Sequence, residues 1–149
     1  MFYFLNNYSN NSNDRNKIGF EDVKIAISNQ SKYVIINTLS SDLQNILIKN
    51  TTPCNEEETI INKIFSDYTM PDLPIIIYGT NYCDKTIEKK YDQIIKFGHS
   101  NVFIYYGGLF EWLLLNELYG NEEFPLNKDH NSIDILLYRP SSTFTNLIN

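Results

Sequence analysis

Two cysteines and two histidines are the side chains in this sequence best suited to nucleophilic or metal chemistry: Cys54, Cys83, His99 and His130. They are too few and too scattered for a zinc site, and two cysteines cannot form a disulfide framework. We therefore predict no metal and no cofactor. His99 is expected to be an ordinary loop residue, which leaves the cysteines as the candidates for covalent chemistry.

The acidic side chains cluster where carboxylates stabilise local structure. Residues 56–58 are three consecutive glutamates at a predicted helix start, where the helix dipole favours negative charge. Asn55 is the predicted N-cap of that helix, with Glu58 as its reciprocal partner three residues later. Glu122 and Glu123 are expected in a solvated turn. None of these groups is predicted to act in acid–base catalysis.

Composition excludes several classes of partner. The 149 residues include 12 Lys and Arg against 18 Asp and Glu, which gives a net charge of −6. An acidic chain lacks the basic face that direct binding of nucleic-acid phosphates requires. No apolar run is long enough to cross a membrane, and residues 1–5 are too short for a signal peptide. We expect a cytoplasmic, reducing environment with both thiols free.

Helical and strand patterns alternate along the chain. Continuous apolar runs, without the alternation of half-exposed strands, are typical of parallel strands buried on both faces. The predicted strands are 33–37, 46–48, 75–78 and 101–105, and the predicted helices are 20–27, 86–97, 109–118 and one beginning at Asn55, followed by an ordered piece at 133–138. The pattern predicts an α/β fold, an open and mostly parallel sheet of about five strands with helices on both faces. In such folds ligands bind beyond the carboxyl ends of the strands, here after Tyr78 and Tyr105.

The segment from 75 to 112 resembles the C-terminal half of a rhodanese-like domain. It contains a buried strand ending in Tyr, a six-residue loop, an amphipathic helix closed by glycine, a strand, and a Gly-Gly-x-x-x-Trp motif formed by Gly107, Gly108 and Trp112. The resemblance extends over residues 18–120. Outside this range, the lack of an apolar period predicts a flexible Asn-rich tail at 1–17. Residues 121–149 are expected to form a C-terminal extension that packs on the domain, with Phe144, Leu147 and Ile148 as the expected cover. Residues 113–125 also resemble a branch of such domains found in large DNA viruses and some protists.

The resemblance locates the family's chemistry in the loop after the strand. There the nucleophilic cysteine directly follows the strand, and the N–H groups of the loop surround it as an anion-binding nest. Gly79 occupies this position, so the resemblance implies that the catalytic thiol has been lost. Cys83 matches a second, non-nucleophilic cysteine of the family. The implied anion-binding loop consists of Gly79, Thr80, Asn81, Tyr82, Cys83, Asp84, Lys85 and Thr86, with Tyr82 as a cap and Thr86 ordering the helix start.

A related class, the cysteine-dependent phosphatases, needs an arginine six positions after the nucleophile. Lys85 and Lys89 stand at the two relevant positions, so this class is not supported.

The predicted function is therefore a catalytically inactive interaction or structural module that retains a cradle for a small anion. Its partner would be another protein or a second copy, bound at the loop rim together with residues 112–115 or with the C-terminal extension. Trp112 itself is expected to pack its helix onto the sheet. One alternative is a sulfurtransferase in which Cys83 accepts the sulfur. Another is a viral structural or packaging component, for which the location would be the virion.

Overall fold

A parallel sheet forms the centre of the molecule. The computed structural model describes residues 14–66, 72–129 and 132–148. The strands lie in the order β1-β4-β3-β2, and every neighbouring pair is parallel. The central strand β3 aligns Ile77 with Ile36 on one side and with Ile104 on the other. The strands are β1 (Lys17–Ile18), β2 (Val34–Asn37), β3 (Ile75–Tyr78) and β4 (Val102–Tyr105).

Helices cover both faces of this sheet, which confirms the predicted α/β class. In the part of the chain that the structure describes, the helices are α1 (Phe20–Ser28), α2 (Cys54–Ser66), α3 (Thr86–Lys96), α4 (Gly108–Tyr119) and α5 (Thr145–Ile148), with short 3-10 turns at Gln30–Lys32, Ser41–Leu43 and Ile135–Tyr138. Helix α2 begins at Cys54, so Asn55 lies inside its first turn, and the predicted N-cap is wrong.

The sheet has four strands among the described residues rather than the expected five. The segment 46–48 forms no strand; Ile48 makes a single antiparallel bridge to Leu126, and Thr51 makes a single parallel bridge to Ile35. Asn50 has a positive φ of 65°, which turns the chain, and α2 begins two residues after Thr52. The segment that contains Thr51 therefore runs beside β2 for too few residues to form a ladder of strand hydrogen bonds.

The alternation of β3 divides the core into two layers. Ile76 and Tyr78 point into a cluster with α1, α4 and the segment that follows α4. Ile75 and Ile77 point into the opposite cluster, which contains side chains from α2 and α3. All four strand residues are almost completely buried, as expected for a strand that pairs on both edges and is covered on both faces.

The first described residues, 14–17, lie against the sheet and α3. They belong to the domain, since Lys17 lies in β1 and Arg15 forms a 2.8 Å ion pair with Asp92 of α3. Residues 1–13, the greater part of the predicted tail, lie outside the described residues. The division of the chain at 18 and 121 stays a prediction, although the first boundary falls within β1.

The C-terminal extension contributes to the core through residues other than those expected. Phe144, Leu147 and Ile148 are largely exposed, so their expected role as cover is wrong. The cover comes instead from Phe124, Leu126 and Tyr138, which are buried in the cluster beneath α4. Side chains from the range 124–138 therefore fill that space, and the apolar side chains of the range 144–148 contribute little to it.

Candidate functional site

The loop after β3, residues 79–85, lies at the carboxyl edge of the sheet beside the N-terminus of α4. The N–H of Leu109 donates to the carbonyl of Gly79, and the N–H of Phe110 donates to the carbonyl of Thr80, both at 2.9 Å. Two otherwise unpaired amides of the first turn of α4 are thereby satisfied. The loop is consequently held in place by the helix that follows the next strand.

Glycine is required at the point where α4 meets this loop. Gly108 has a φ of +66°, and a Cβ there would lie 2.7 Å from the carbonyl oxygen of Gly79 and 3.0 Å from the N–H nitrogen of Asn81. Its neighbour Gly107 has an ordinary φ of −54°. Positive φ and close backbone approach therefore both fall on Gly108.

Trp112 is part of the core and presents no surface to a partner. Its side chain is completely buried, its Nε1 donates to the carbonyl of Pro125 at 3.1 Å, and its ring packs edge-on against Tyr105. Leu113 is buried as well. Of the four residues 112–115 proposed as a partner surface, only Leu114 is exposed.

Gly79, the position of the family's nucleophile, has no room for a side chain. A Cβ at this residue would lie 2.5 Å from Oδ2 of Asp84 and 2.7 Å from Cγ1 of Ile87. Both distances are far below ordinary contact, and Ile87 is a fully buried residue of α3. A cysteine at position 79 would therefore require the loop or the helix to move.

The carboxylate of Asp84 accepts the hydrogen bonds that the loop was predicted to offer to an external anion. Oδ2 accepts from the N–H of Thr80 and Oδ1 accepts from the N–H of Thr86, both at 3.0 Å. The Thr86 hydroxyl lies 2.5 Å from Oδ1 and 2.8 Å from the hydroxyl of Thr38. Since a hydroxyl has one proton, Thr86 donates to the carboxylate and Thr38 donates to Thr86. The donors thus converge on a side chain of the loop itself.

Asn81 joins the loop to the C-terminal extension. Its Oδ1 accepts from the N–H of Cys83 at 2.9 Å, which forms a local Asx turn. Its Nδ2 donates to the carbonyl of Tyr138 at 3.0 Å in a buried contact. Sequence analysis placed Asn81 in the loop but gave no sign that it would bind the extension.

Cys83 and Tyr82 lie on the outer side of the loop. Both are exposed, Tyr82 to 66%, so the predicted cap extends into solvent. The Cys83 thiol beside its hydroxyl raises the pKa of Tyr82 above its ordinary value. Lys85 is also exposed. Cys54, the other thiol, is exposed at the first residue of α2.

An open, shallow cleft of about 510 Å³ lies between this loop, the end of β2 and the C-terminal extension. Sequence analysis missed four of its residues, Thr38, Ser40, Arg139 and Ser141. One signal was present: Thr38 follows β2 at the same edge of the sheet. Arg139 could not be placed by its spacing from the loop. The full lining is Thr38, Ser40, Thr80, Asn81, Cys83, Asp84, Thr86, Arg139 and Ser141.

Tyr105, the last residue of β4, was predicted to lead into the site. Its ring is buried, and its hydroxyl has no hydrogen-bond partner among the described residues. Burial, together with the nearby carboxylate of Glu111, raises its pKa far above the ordinary value. Tyr105 is thus a neutral core residue at neutral pH.

Within the ranges 14–66, 72–129 and 132–148, no group of three His, Cys, Asp or Glu side chains is arranged to hold a metal ion. His99 is buried there, with its ring Nε2 2.8 Å from the carbonyl of Leu73. None of the described helices has the length and apolarity needed to cross a bilayer.

The solved structures that are similar to this chain include two from Anabaena sp.. One is the crystal structure of the Rhodanese_3-like domain of the Alr3790 protein from Anabaena sp., which is 16% identical with a TM-score of 0.46; the match covers 68% of this chain and 98% of that one. The other, a crystal structure of the Alr3790 protein from Anabaena sp., is 14% identical with a TM-score of 0.49, and covers 88% and 90%. No protein-family model and no curated protein matches the chain. These identities and TM-scores are too low to assign a family or an activity.

Proposed function

We propose that this chain is a rhodanese-like domain without sulfurtransferase activity that acts as an interaction or structural module. The observation that carries the proposal is the lack of space at Gly79. A Cβ there would meet Asp84 at 2.5 Å and Ile87 at 2.7 Å, so the position lacks both the thiol and the room for one. Without a nucleophile at the centre of the loop, there is no group to accept sulfur at that point.

The surroundings of Gly79 support the same proposal. The N–H groups of Thr80 and Thr86 already bind the carboxylate of Asp84, which carries the negative charge that a thiolate or persulfide would bring. The charge of Asp84 disfavours a second anion in the same nest. In this proposal the loop is a rigid structural element, and external ligands bind around it.

The proposed partner is a protein, either a different one or a second copy of this chain. Tyr82 is exposed in the loop itself, and a larger group of exposed apolar side chains belongs to α4 and the C-terminal extension. This group consists of Leu114, Leu118, Tyr119, Leu136, Leu137, Phe144, Leu147 and Ile148. Exposed apolar side chains concentrated in one part of a chain are typical of interaction surfaces. The proposed location is the cytoplasm, where both thiols stay free. The resemblance of residues 113–125 to a branch found in large DNA viruses and some protists supports a virion location instead, together with a structural or packaging role.

The alternative function is a sulfurtransferase that uses Cys83. One observation favours it: Cys83 is exposed and lines the same cleft as Arg139. In that reaction the Cys83 thiolate would attack the outer sulfur of thiosulfate, form the S–S bond of a persulfide and release sulfite. The N–H groups of Thr80 and Thr86 do not serve this sulfur, because they donate to Asp84.

The experiment that separates the two functions is intact-protein mass spectrometry after incubation with thiosulfate. The wild-type chain, Cys83→Ser and Cys54→Ser are treated in parallel. The proposal predicts no gain of a sulfur atom in any of the three. A gain that is present in the wild type and in Cys54→Ser but absent in Cys83→Ser would overturn it and establish Cys83 as a sulfur acceptor.

A further inference from the structure

We propose that the cleft beside the loop binds a small tetrahedral oxyanion, of the phosphate or sulfate class, through the guanidinium of Arg139. The hydroxyls of Thr80 and Ser141 would provide additional hydrogen bonds. This inference rests on the proposed function in one respect: it takes the loop after β3 to be closed, with the cleft on its outer side. It differs from the predicted cradle in its donors, which are side chains of the cleft rather than loop N–H groups.

The position of Asp84 separates the two sets of donors. Its carboxylate accepts three hydrogen bonds, from the N–H groups of Thr80 and Thr86 and from the Thr86 hydroxyl. These donors are consequently unavailable to a ligand, and the acceptor capacity of Asp84 is largely satisfied as well. An oxyanion that enters the cleft must therefore find other donors.

Within the described ranges, Arg139 provides unpaired N–H donors at the cleft, and two hydroxyls there can donate or accept. Arg139 uses one guanidinium N–H, donating from Nη1 to the carbonyl of Leu136 at 2.6 Å, and its other N–H groups remain. Among the described residues, the side-chain hydroxyls of Thr80 and Ser141 form no hydrogen bond. A ligand rich in acceptor oxygens fits such a surface, and guanidinium groups bind tetrahedral oxyanions in a bidentate manner.

Arg139 is held at the cleft by the residue before it. The carbonyl of Tyr138 accepts from the buried Nδ2 of Asn81, and the Tyr138 side chain is buried in the core. The backbone that carries Arg139 is therefore fixed against the loop, which lowers the entropic cost of using its guanidinium. Arg15, the other arginine of the chain, is already paired with Asp92 and Glu88 on the outer side of α3.

Charge determines how the site should respond to substitution. Among the residues that line the cleft, Arg139 is the cation and Asp84 the anion, so their formal charges cancel. Removing the positive charge should abolish binding, and removing the negative charge should strengthen it. Arg139→Lys keeps the charge but loses the planar bidentate geometry, so it should bind more weakly than the wild type.

The test is a titration of the full-length protein with inorganic phosphate at constant ionic strength, followed by the backbone and arginine side-chain N–H resonances in NMR spectra. We expect saturable shifts at Thr80, Ser141 and the Arg139 side chain. Affinity should fall at least tenfold in Arg139→Gln and rise severalfold in Asp84→Asn. Lys89→Gln on α3, outside the cleft, makes the same charge change as Arg139→Gln and should alter affinity less than twofold.

Two results would overturn the inference: no saturable shift in a folded wild type, or equal affinity in the wild type and Arg139→Gln. A parallel titration with O-phospho-L-serine identifies the source of the oxyanion. Tighter binding than phosphate assigns the site to a phosphoryl group carried on a larger molecule, and equal or weaker binding assigns it to a free ion. A sulfur gain on Cys83 would contradict the proposed function and leave this inference intact.

Discussion

The loop after β3 and the C-terminal extension meet at Asn81, yet they expose opposite kinds of surface. In the loop, Asp84 binds the amides of Thr80 and Thr86, and the carbonyls of Gly79 and Thr80 accept from the amides of α4. In the extension, Tyr138 is buried while its neighbours Leu136 and Leu137 face solvent. The nest at Gly79 is closed by the loop's own carboxylate, whereas the extension exposes apolar side chains to solvent.

The difference shows which interactions each region depends on. The loop depends on two close contacts that only glycine permits. Gly79 leaves space for the Asp84 carboxylate, and Gly108 leaves space for the loop backbone. The extension depends on a few anchors, the Asn81–Tyr138 hydrogen bond and the burial of Tyr138. Substitutions in the loop should therefore change stability, whereas substitutions on the exposed face of the extension should change association.

Gly79→Cys should have the largest effect and lower the free energy of unfolding by about 3 kcal/mol. Gly79→Ala should lower it by about 2 kcal/mol. In both variants the new atoms overlap Asp84 and buried Ile87. Urea unfolding measures both. Gly19→Ala is the matched control, since a Cβ at Gly19 meets nothing within 4 Å. Equal stability of Gly79→Ala and Gly19→Ala would show that the loop is not closed around Gly79.

Asp84→Ala should cost about 2 kcal/mol, because the amides of Thr80 and Thr86 lose a charged acceptor. The cost of Gly79→Ala should also become smaller in the Asp84→Ala background, since one of the overlapping groups is gone. The double-mutant cycle by urea unfolding measures this coupling. Strict additivity of the two costs would contradict the contact between Gly79 and Asp84.

Asn81→Ala should cost about 1 kcal/mol and should loosen the extension, because it removes the hydrogen bond to the carbonyl of Tyr138. Chymotrypsin cleavage after Tyr138, whose side chain is buried in the wild type, measures the loosening and should become several times faster. Asn101→Ala is the control, since its Nδ2 also donates to a backbone carbonyl, that of Asp72, far along the chain from the extension. If both variants are cleaved at the same rate, the link between loop and extension is wrong.

Leu136→Ser combined with Leu137→Ser should change stability by less than about 0.5 kcal/mol, because both side chains are exposed. Sedimentation velocity should show weaker self-association than in the wild type. Phe97→Ser, which removes an exposed apolar side chain from the opposite layer, is the control and should leave association unchanged. A monomeric wild type would rule out the homodimer and leave a different protein as the proposed partner.

The sequence predicts most of the fold because the strands are continuous apolar runs. β2, β3 and β4 lie where the runs at 33–37, 75–78 and 101–105 predict them. β1 has only two residues, too few for any period to show. The run at 46–48 is apolar because it is buried against the segment after α4, which periodicity cannot distinguish from a strand.

The candidate site is predicted only in outline. The position of Gly79 follows from its place after β3, and the helix start at Thr86 follows from the pattern of α3. The role of Asp84 depends on the direction in which the loop turns its carboxylate, and that direction is set by contacts with α3 and α4. Arg139 reaches the cleft through tertiary packing of Tyr138, for which no local pattern exists.

The most direct test of the closed loop is amide hydrogen exchange at Thr80 and Thr86, measured by NMR in the wild type and in Asp84→Ala. If the carboxylate of Asp84 holds both amides, they should exchange slowly in the wild type and lose most of that protection in the variant. Exchange in the wild type at the rate of an unstructured amide, or unchanged protection in a folded Asp84→Ala, would contradict the account.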